Sequence, residues 1–304
     1  MANVINLVTK YQPLLDEVYK DASLTKDLES NEVKFDGSKT VKILKLVVPD
    51  LGDYSRNSGF LVGDVQATWE TWTLAEDRGI EFSIDAMDNE ETLDMTFGKS
   101  SSEFIRTKVV PEIDMYRFAK IAQTTGVETA TGVLSTGAEF ESAISTAQVA
   151  LDDAEAPKEG RILYITPKGY QAMKSAFANR FNNKADAYNA SFTEFDGMKV
   201  IVVPQSRFVS KIEKDTDGVY SKAEDAENIN FMLVAPSAIV ATTKHAKLRI
   251  FSPEENQLMD AYKFQYRVYH DLFVYDNKVA GIYVHTEYTE EVGEGEGEGE
   301  SSAS

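Results

Sequence analysis

The side chains best suited to chemistry are three histidines, His245, His270 and His285, in a chain of 304 residues without a cysteine. Lacking cysteine, the chain has no disulfide, thiolate nucleophile or sulfur-ligated metal. Imidazole binds zinc, but a zinc site needs several ligands at set spacings such as His-x-x-x-His, and none of the three has such a partner. His270 reads instead as a core or interface histidine. No Gly-x-Ser-x-Gly elbow presents a serine, and no phosphate-binding loop or Gly-x-Gly-x-x-Gly turn follows a strand. Asp215-Thr216-Asp217-Gly218 carries two acids of a calcium loop. It lacks that loop's glycine position and its closing bidentate glutamate, so it reads as a polar turn. Asp196-Gly197 reads as a bend before a strand. Asn189-Ala190-Ser191 matches a glycosylation sequon, which carries no meaning without a secretion signal. Carboxylate pairs are abundant, and spacing singles out none of them. The expectation is therefore no catalytic residue, no cofactor and no metal. An acidic hydrolase stays as a minor alternative, marked by a cleft with a raised-pKa carboxyl.

The charge balance narrows the partners. Formal net charge is −19, which repels phosphate backbones over most of the surface and argues against non-specific nucleic-acid binding. No apolar run approaches the roughly 18 residues of a membrane span. The start, MANVINLVTKYQPLLDEVYKD, lacks the basic residues and long apolar segment of a signal peptide. Glu287, Glu290, Glu291, Glu294, Glu296, Glu298 and Glu300 follow the last lysine, Lys278. The repeating Gly-Glu end has nothing to bury and repels itself, so disorder is expected over residues 292–304.

The elements around these residues are more informative. Residues 1–31 read as an extended arm with a short helix near Pro13–Lys20. Val41 and Ile43 alternate with Lys42, and Ile80, Phe82 and Ile84 alternate with Glu81, Ser83 and Asp85, the period of a half-buried strand. WETWTL, from Trp69 to Leu74, is rich in β-formers. Between these strands, PDLGDYSRNSGFLVGD reads as a long exposed loop. Two strands joined by such a loop make a protruding arm with little core of its own, and an isolated hairpin is marginal in water. Trp69 and Trp72 fall on opposite faces, so at least one should be buried against the body or a neighbour.

A helical region is predicted over Glu91–Gln123, roughly 45–50 Å long if continuous, at about 1.5 Å per residue. Ile105, Val109, Ile113, Tyr116 and Ala119 keep helical spacing, yet Pro111 sits among them. Inside a helix it would cost roughly 3 kcal/mol. It must either kink the helix or open a second segment at its first turn. Beyond it, helix and strand alternate: an amphipathic helix over Ala138–Leu151, the strand RILYI, Thr166-Pro167 capping a further helix, and strands in FDGMKVIVVP and NFMLVAP. A short helix with Ile239 and Val240 is expected next, and Asp215–Asn228 reads as an exposed insertion. LRIF, Phe264–Tyr275 and KVAGIYVHTE complete the strands.

This order of elements resembles the major capsid proteins of tailed bacteriophages, an α+β fold known as HK97-like. The resemblance is one of pattern over roughly residues 1–290 and rests on no motif of catalytic grade. FDGSKTVKILKLVVPDLGDYSRNSGF with ATWETWTLAEDRGIEFSIDAMDNEET looks like the extended E-loop and its return. SSEFIRTKVVPEIDMYRFAKIA looks like the spine helix, and ISTAQVALDDAEAPKEGRILYITPKGYQAM like the opening of the axial domain. AKLRIFSP and FQYRVYHDLFVYDNKVAGIYVH look like the peripheral strands and the final axial strand. The resemblance implies an N-terminal arm (1–31), an E-loop (32–85), a peripheral domain with its spine helix (86–125) and an axial domain (126–245). Peripheral strands (246–275), a last axial strand (276–291) and the acidic tail (292–304) follow.

It also implies a structural virion protein, assembled in the bacterial host cytoplasm into hexamers and pentamers of an icosahedral or prolate shell around double-stranded DNA. Tyr54, Arg56, Phe60, Trp69 and Trp72 are the inter-subunit contact candidates. The N-terminal segment is short for a fused scaffolding domain, so a separate scaffold and a portal are expected partners. No lysine–asparagine pair for an inter-subunit crosslink can be picked out. An encapsulin-type compartment is the alternative within the same fold.

Overall fold

The computed structural model describes residues 23–29, 34–36, 40–49, 51–54, 56–57, 60, 63–87, 102–180, 192–256 and 258–287. The helix expected at Pro13–Lys20, the helical region before Ser102, the Asn189 sequon and the acidic tail lie outside these residues.

Two sheets share one helix. The larger sheet has six strands in the order β5-β14-β11-β6-β8-β7. These are β5 (Glu128–Thr131), β6 (Ile162–Ile165), β7 (Glu194–Phe195), β8 (Met198–Val202), β11 (Ile229–Val234) and β14 (Ile282–Thr286). Its central strands are buried on both faces, which is why RILYI and NFMLV are unbroken apolar runs. Leu163, Ile165, Phe231 and Leu233 face helices α2 (Gly137–Asp153) and α3 (Pro167–Arg180). Ile162, Tyr164, Met232 and Val234 face the opposite way, onto Phe118 and Ile121. Local chemistry starts both flanking helices. Thr136 and Glu139 form a reciprocal capping box at α2, and Thr166 Oγ1 accepts from the Gly169 amide at α3, with Pro167 in the first turn. Asp196 and Gly197 both have positive φ, 48° and 76°, and make the tight turn of the β7–β8 hairpin.

The second sheet orders β12 (Ile239–Phe251), β13 (Ala261–Val274) and β4 (Glu76–Asp85). Ile239 and Val240 begin β12 rather than forming a short helix. A single 3-10 turn at Pro236–Ala238 precedes them, and β-branched residues then pair directly with β13. Strand β4, within the segment read as the E-loop return, pairs with β13 from Glu76↔His270 to Asp85↔Ala261.

The proline puzzle is resolved by a wide turn. The helix is already wound at Ser102, passes through a π-helical turn at Ile105–Val109, and continues as α1 (Val110–Ala122). The Val110 amide donates to the Ile105 carbonyl, five residues back. The α-type ladder is interrupted there in any case, so Pro111 enters the first turn of α1, where its missing N–H costs least. Upstream of this junction Ile105, Val109 and Val110 pack on Ile250, Phe264 and Val268 of the three-stranded sheet. Downstream, Phe118 and Ile121 pack on the six-stranded sheet.

Candidate assembly surface

A third sheet, β1-β2-β3, is packed on the body at one end only. It holds β1 (Lys34–Asp36), β2 (Thr40–Val47) and β3 (Gln66–Thr73), with β2 and β3 paired from Thr40↔Thr73 to Val47↔Gln66. Beyond the paired end lies the loop, described at residues 48–49, 51–54, 56–57, 60 and 63–65. Its described apolar side chains lie in solvent: Leu51 is fully exposed, Phe60 is 84 % exposed and Tyr54 61 %. The Tyr54 and Phe60 rings touch, centroids 4.9 Å apart, but neither reaches the body. Val48 and Val65, flanking the loop, are exposed too.

Four of the five residues expected at subunit contacts, Tyr54, Arg56, Phe60 and Trp69, are exposed. Trp72 faces the other way. It stacks on Phe273 (centroids 4.8 Å apart) and leans on Tyr275 (5.5 Å), both from its own chain. The odd spacing of the two tryptophans thus sends one into the body and one outward.

The root of the arm is held tightly. Val41, Ile43 and Leu74 are buried against Val240 and Tyr269. Tyr269 Oη donates to the Leu74 carbonyl at 3.0 Å, and Asp271 Oδ2 accepts from the Ala75 amide at 2.9 Å. The other Asp271 oxygen accepts from Tyr116 Oη at 2.9 Å and pairs with Lys120. Burial, then the Asp271 charge, pushes the Tyr116 phenol far above its ordinary value.

A second polar cluster fastens residues 23–29 to the same helix. Asp114, fully buried, accepts from Thr25 Oγ1 (2.8 Å), the Leu24 amide (3.2 Å) and Ser23 Oγ (3.3 Å), and pairs with Arg207 at 3.4 Å. Arg117, equally buried, donates to Thr25 (2.8 Å), Glu29 (2.9 Å) and Thr243 (3.0 Å). Burial raises the Asp114 carboxyl, which is enclosed by these structural partners. The sequence signal for this cluster was a pair of charges, Asp114 and Arg117, in the buried phase of an otherwise apolar helix; sequence reasoning passed over it.

His270 and His285 lie in different sheets. His270 is fully buried beside Tyr116, ring centroids 5.3 Å apart at 87°. His285 stacks on Phe231 and hydrogen-bonds Asn230 through Nδ1 at 3.2 Å. The His245 side chain lies outside the described residues. Among the described residues no three His, Asp or Glu side chains are placed to hold a metal ion, and no helix is long and apolar enough to cross a membrane. A cleft of about 690 Å³ opens beside α1, lined by Glu76, Tyr116, Lys120, Gln123, Lys214 and Tyr220 among others. Both lysines in it are paired, Lys120 with Asp271 and Lys214 with Glu76.

No protein-family model matches the chain, and no curated protein matches its sequence. Solved structures do match its shape. A chain of the capsid of Cyanophage P-SCSP1u aligns with TM-score 0.62 at 12 % identity, over 88 % of each chain. The mature capsid of bacteriophage PhiM1 aligns with TM-score 0.54 at 9 % identity, over 83 % of each. The virus-like particle from Pyrococcus furiosus aligns with TM-score 0.52 at 13 % identity, over 92 % of this chain and 99 % of that one. These likenesses cover 83–92 % of the chain, which has the α+β, HK97-like fold of phage capsid subunits.

Proposed function

We propose that the chain is a major capsid protein that self-assembles into the icosahedral or prolate head shell of a tailed bacteriophage, enclosing double-stranded DNA. The observation that carries this reading is the arm. Leu51, Tyr54 and Phe60 stand in solvent at its tip, while its root is anchored through Leu74 and Ala75. A firmly rooted arm with an apolar end suits contact with a second copy of the chain. Tyr54, Arg56, Phe60 and Trp69 are the side chains offered to that neighbour. In this reading the segments 1–31, 32–85, 86–125, 126–245, 246–275 and 276–291 are the N-terminal arm, E-loop, peripheral domain, axial domain, peripheral strands and last axial strand. Hexamers and pentamers, a separate scaffold and a portal belong to the same reading, with the virion as the final location and the host cytoplasm as the site of assembly.

The net charge of −19 supports containment of DNA without tight binding, since a shell gripping its genome would resist filling and release. The role is structural rather than enzymatic: the one carboxyl discussed above as raised, Asp114, is sealed in the helix–arm cluster. A second reading, an encapsulin-type compartment around cargo protein, draws on the likeness to the Pyrococcus furiosus virus-like particle.

Negative-stain microscopy of the expressed full chain, alone and with its neighbouring viral gene products, tests the proposal. Closed shells tens of nanometres wide support it, and a persistent monomer under both conditions rejects it. Nucleic acid inside particles from infected cells favours the phage head, whereas a co-purifying enzyme inside favours the compartment.

A further inference from the structure

Between β8 and β11 the chain leaves the six-stranded sheet and returns as a small hairpin, β9 (Ile212–Lys214) with β10 (Tyr220–Lys222). The sequence marks this stretch only as a polar turn in an exposed insertion. Its tip is instead shaped and docked. Asp215 Oδ1 accepts from the Asp217 and Val219 amides at 3.0 and 2.7 Å, and Gly218 takes a φ of 78°, so the turn holds its own form without a metal. The hairpin's base closes on itself, with the Ser210 amide donating to the Glu227 carbonyl at 2.9 Å, and meets the larger sheet where the Ile229 amide of β11 donates to the Phe208 carbonyl at 3.0 Å.

Its tip reaches the start of β4, where the arm joins the body. Lys214 Nζ contacts both oxygens of Glu76, at 2.9 and 3.2 Å. Tyr220 lies between two cations, with the Arg78 guanidinium 5.2 Å and Lys214 Nζ 5.0 Å from its ring centre. Arg78 is itself held by Glu112 of α1 at 2.6 Å. Glu76 directly follows Ala75, whose amide Asp271 holds. Between these tip contacts and α1 lies the 690 Å³ cleft. The hairpin therefore spans the cleft and grips the arm root by a few side-chain contacts: Lys214, 45 % exposed, on the largely buried Glu76, and the Tyr220 ring, which also lies 5.9 Å from the Tyr116 ring of α1. Contacts of that kind are individually weak and release without dismantling an apolar core.

We propose that the β9–β10 hairpin is a releasable clasp on the arm root: closed, it braces Glu76 and Arg78 in addition to the buried contacts of Leu74 and Ala75, and opened, it loosens residues 74–78 while those buried contacts stay in place. The proposal concerns contacts within one chain and goes beyond the shell reading, so it can stand or fall separately.

The test is hydrogen exchange followed by mass spectrometry on the unassembled full chain. It compares the parent with Lys214→Ala, Tyr220→Ala and, as a control on the same hairpin, Glu213→Ala. Exchange over residues 74–78 should rise at least tenfold in the first two variants and stay at the parental rate in the control, with Ile229–Val234 unchanged in all. Unchanged exchange over 74–78, with faster exchange only in the hairpin, would make the hairpin a passive insertion and overturn the clasp. A uniform loss of protection across both sheets would overturn it too, because the hairpin would then be a support of the whole fold.

Discussion

Asp271 accepts a hydrogen bond from the Ala75 amide at 2.9 Å, joining positions 196 residues apart where the arm leaves the body. The same carboxylate takes the Tyr116 hydroxyl and the Lys120 ammonium, so one buried group ties arm, helix and strand β13 together. Removing it strands four donors at once, the Leu272 amide among them. Asp271→Ala should destabilise the subunit by roughly 2–4 kcal/mol, since a buried pair that loses one partner leaves the rest unsatisfied. Urea denaturation of the unassembled chain measures this. A loss below about 0.5 kcal/mol, the range of ordinary surface changes, would show that the root is not held as described.

His270 should make the fold acid-sensitive. Glu76 of β4 and Thr243 of β12 lie opposite it in the sheet, Asp271 follows it, and Tyr116, Arg117 and Lys120 of α1 and Lys214 of the hairpin surround it. Burial first, then the nearby cations, pushes its pKa from 6.5 down to about 3. The unfolded chain therefore binds a proton that the folded chain refuses between pH 6.5 and 3, and stability falls as pH falls through that window. The full effect is on the order of 5 kcal/mol for a shift of this size. His270→Phe keeps a ring against Tyr116 and removes two buried nitrogens that have no hydrogen-bond partner. It should match or exceed the parent at pH 7 and lose distinctly less stability between pH 7 and pH 4. Parallel pH profiles would exclude His270 as the source.

The α2–α3 crossing leaves no room at Gly137. An added Cβ would sit 2.4 Å from the Ala172 carbonyl oxygen and 2.6 Å from the Ala176 Cβ. A backbone atom cannot swing aside, so Gly137→Ala should destabilise by about 1–3 kcal/mol, the range for overpacking. Thermal unfolding of the unassembled chain checks it, and an unchanged midpoint would mean that the helices separate freely.

The arm tip should matter to assembly and not to folding. Leu51 and Phe60 make no contact with the body's cores, so the double variant Leu51→Ser, Phe60→Ser should leave subunit stability within about 0.5 kcal/mol. Under the proposed function it should also abolish closed particles in micrographs. Wild-type particle yield from this variant would remove the tip from the assembly surface.

Where periodicity had a single physical cause, the sequence was legible. The strand holding Ile80, Phe82 and Ile84, the apolar runs at Ile162–Ile165 and Ile229–Val234, and the cap at Thr166 all appear in the structure. Each is set by neighbours within a few residues, through backbone geometry and the choice of buried face. Ile239 and Val240 were not legible as strand, because a short apolar pair reads equally well in a helix until β13 is there to pair with it.

By itself the sequence determined the kinds of element, the protruding arm, the opposite facing of Trp69 and Trp72, and the lack of any recognisable catalytic motif. Only the tertiary structure decided what the polar residues do. Asp271 meets Ala75, Asp114 meets Thr25, and Lys214 meets Glu76 across separations of 196, 89 and 138 residues. Hydrophobic burial is non-directional and leaves a periodic trace along the chain. A hydrogen bond or ion pair depends on ångström-scale distance and direction between groups that the chain brings together only after its cores have formed.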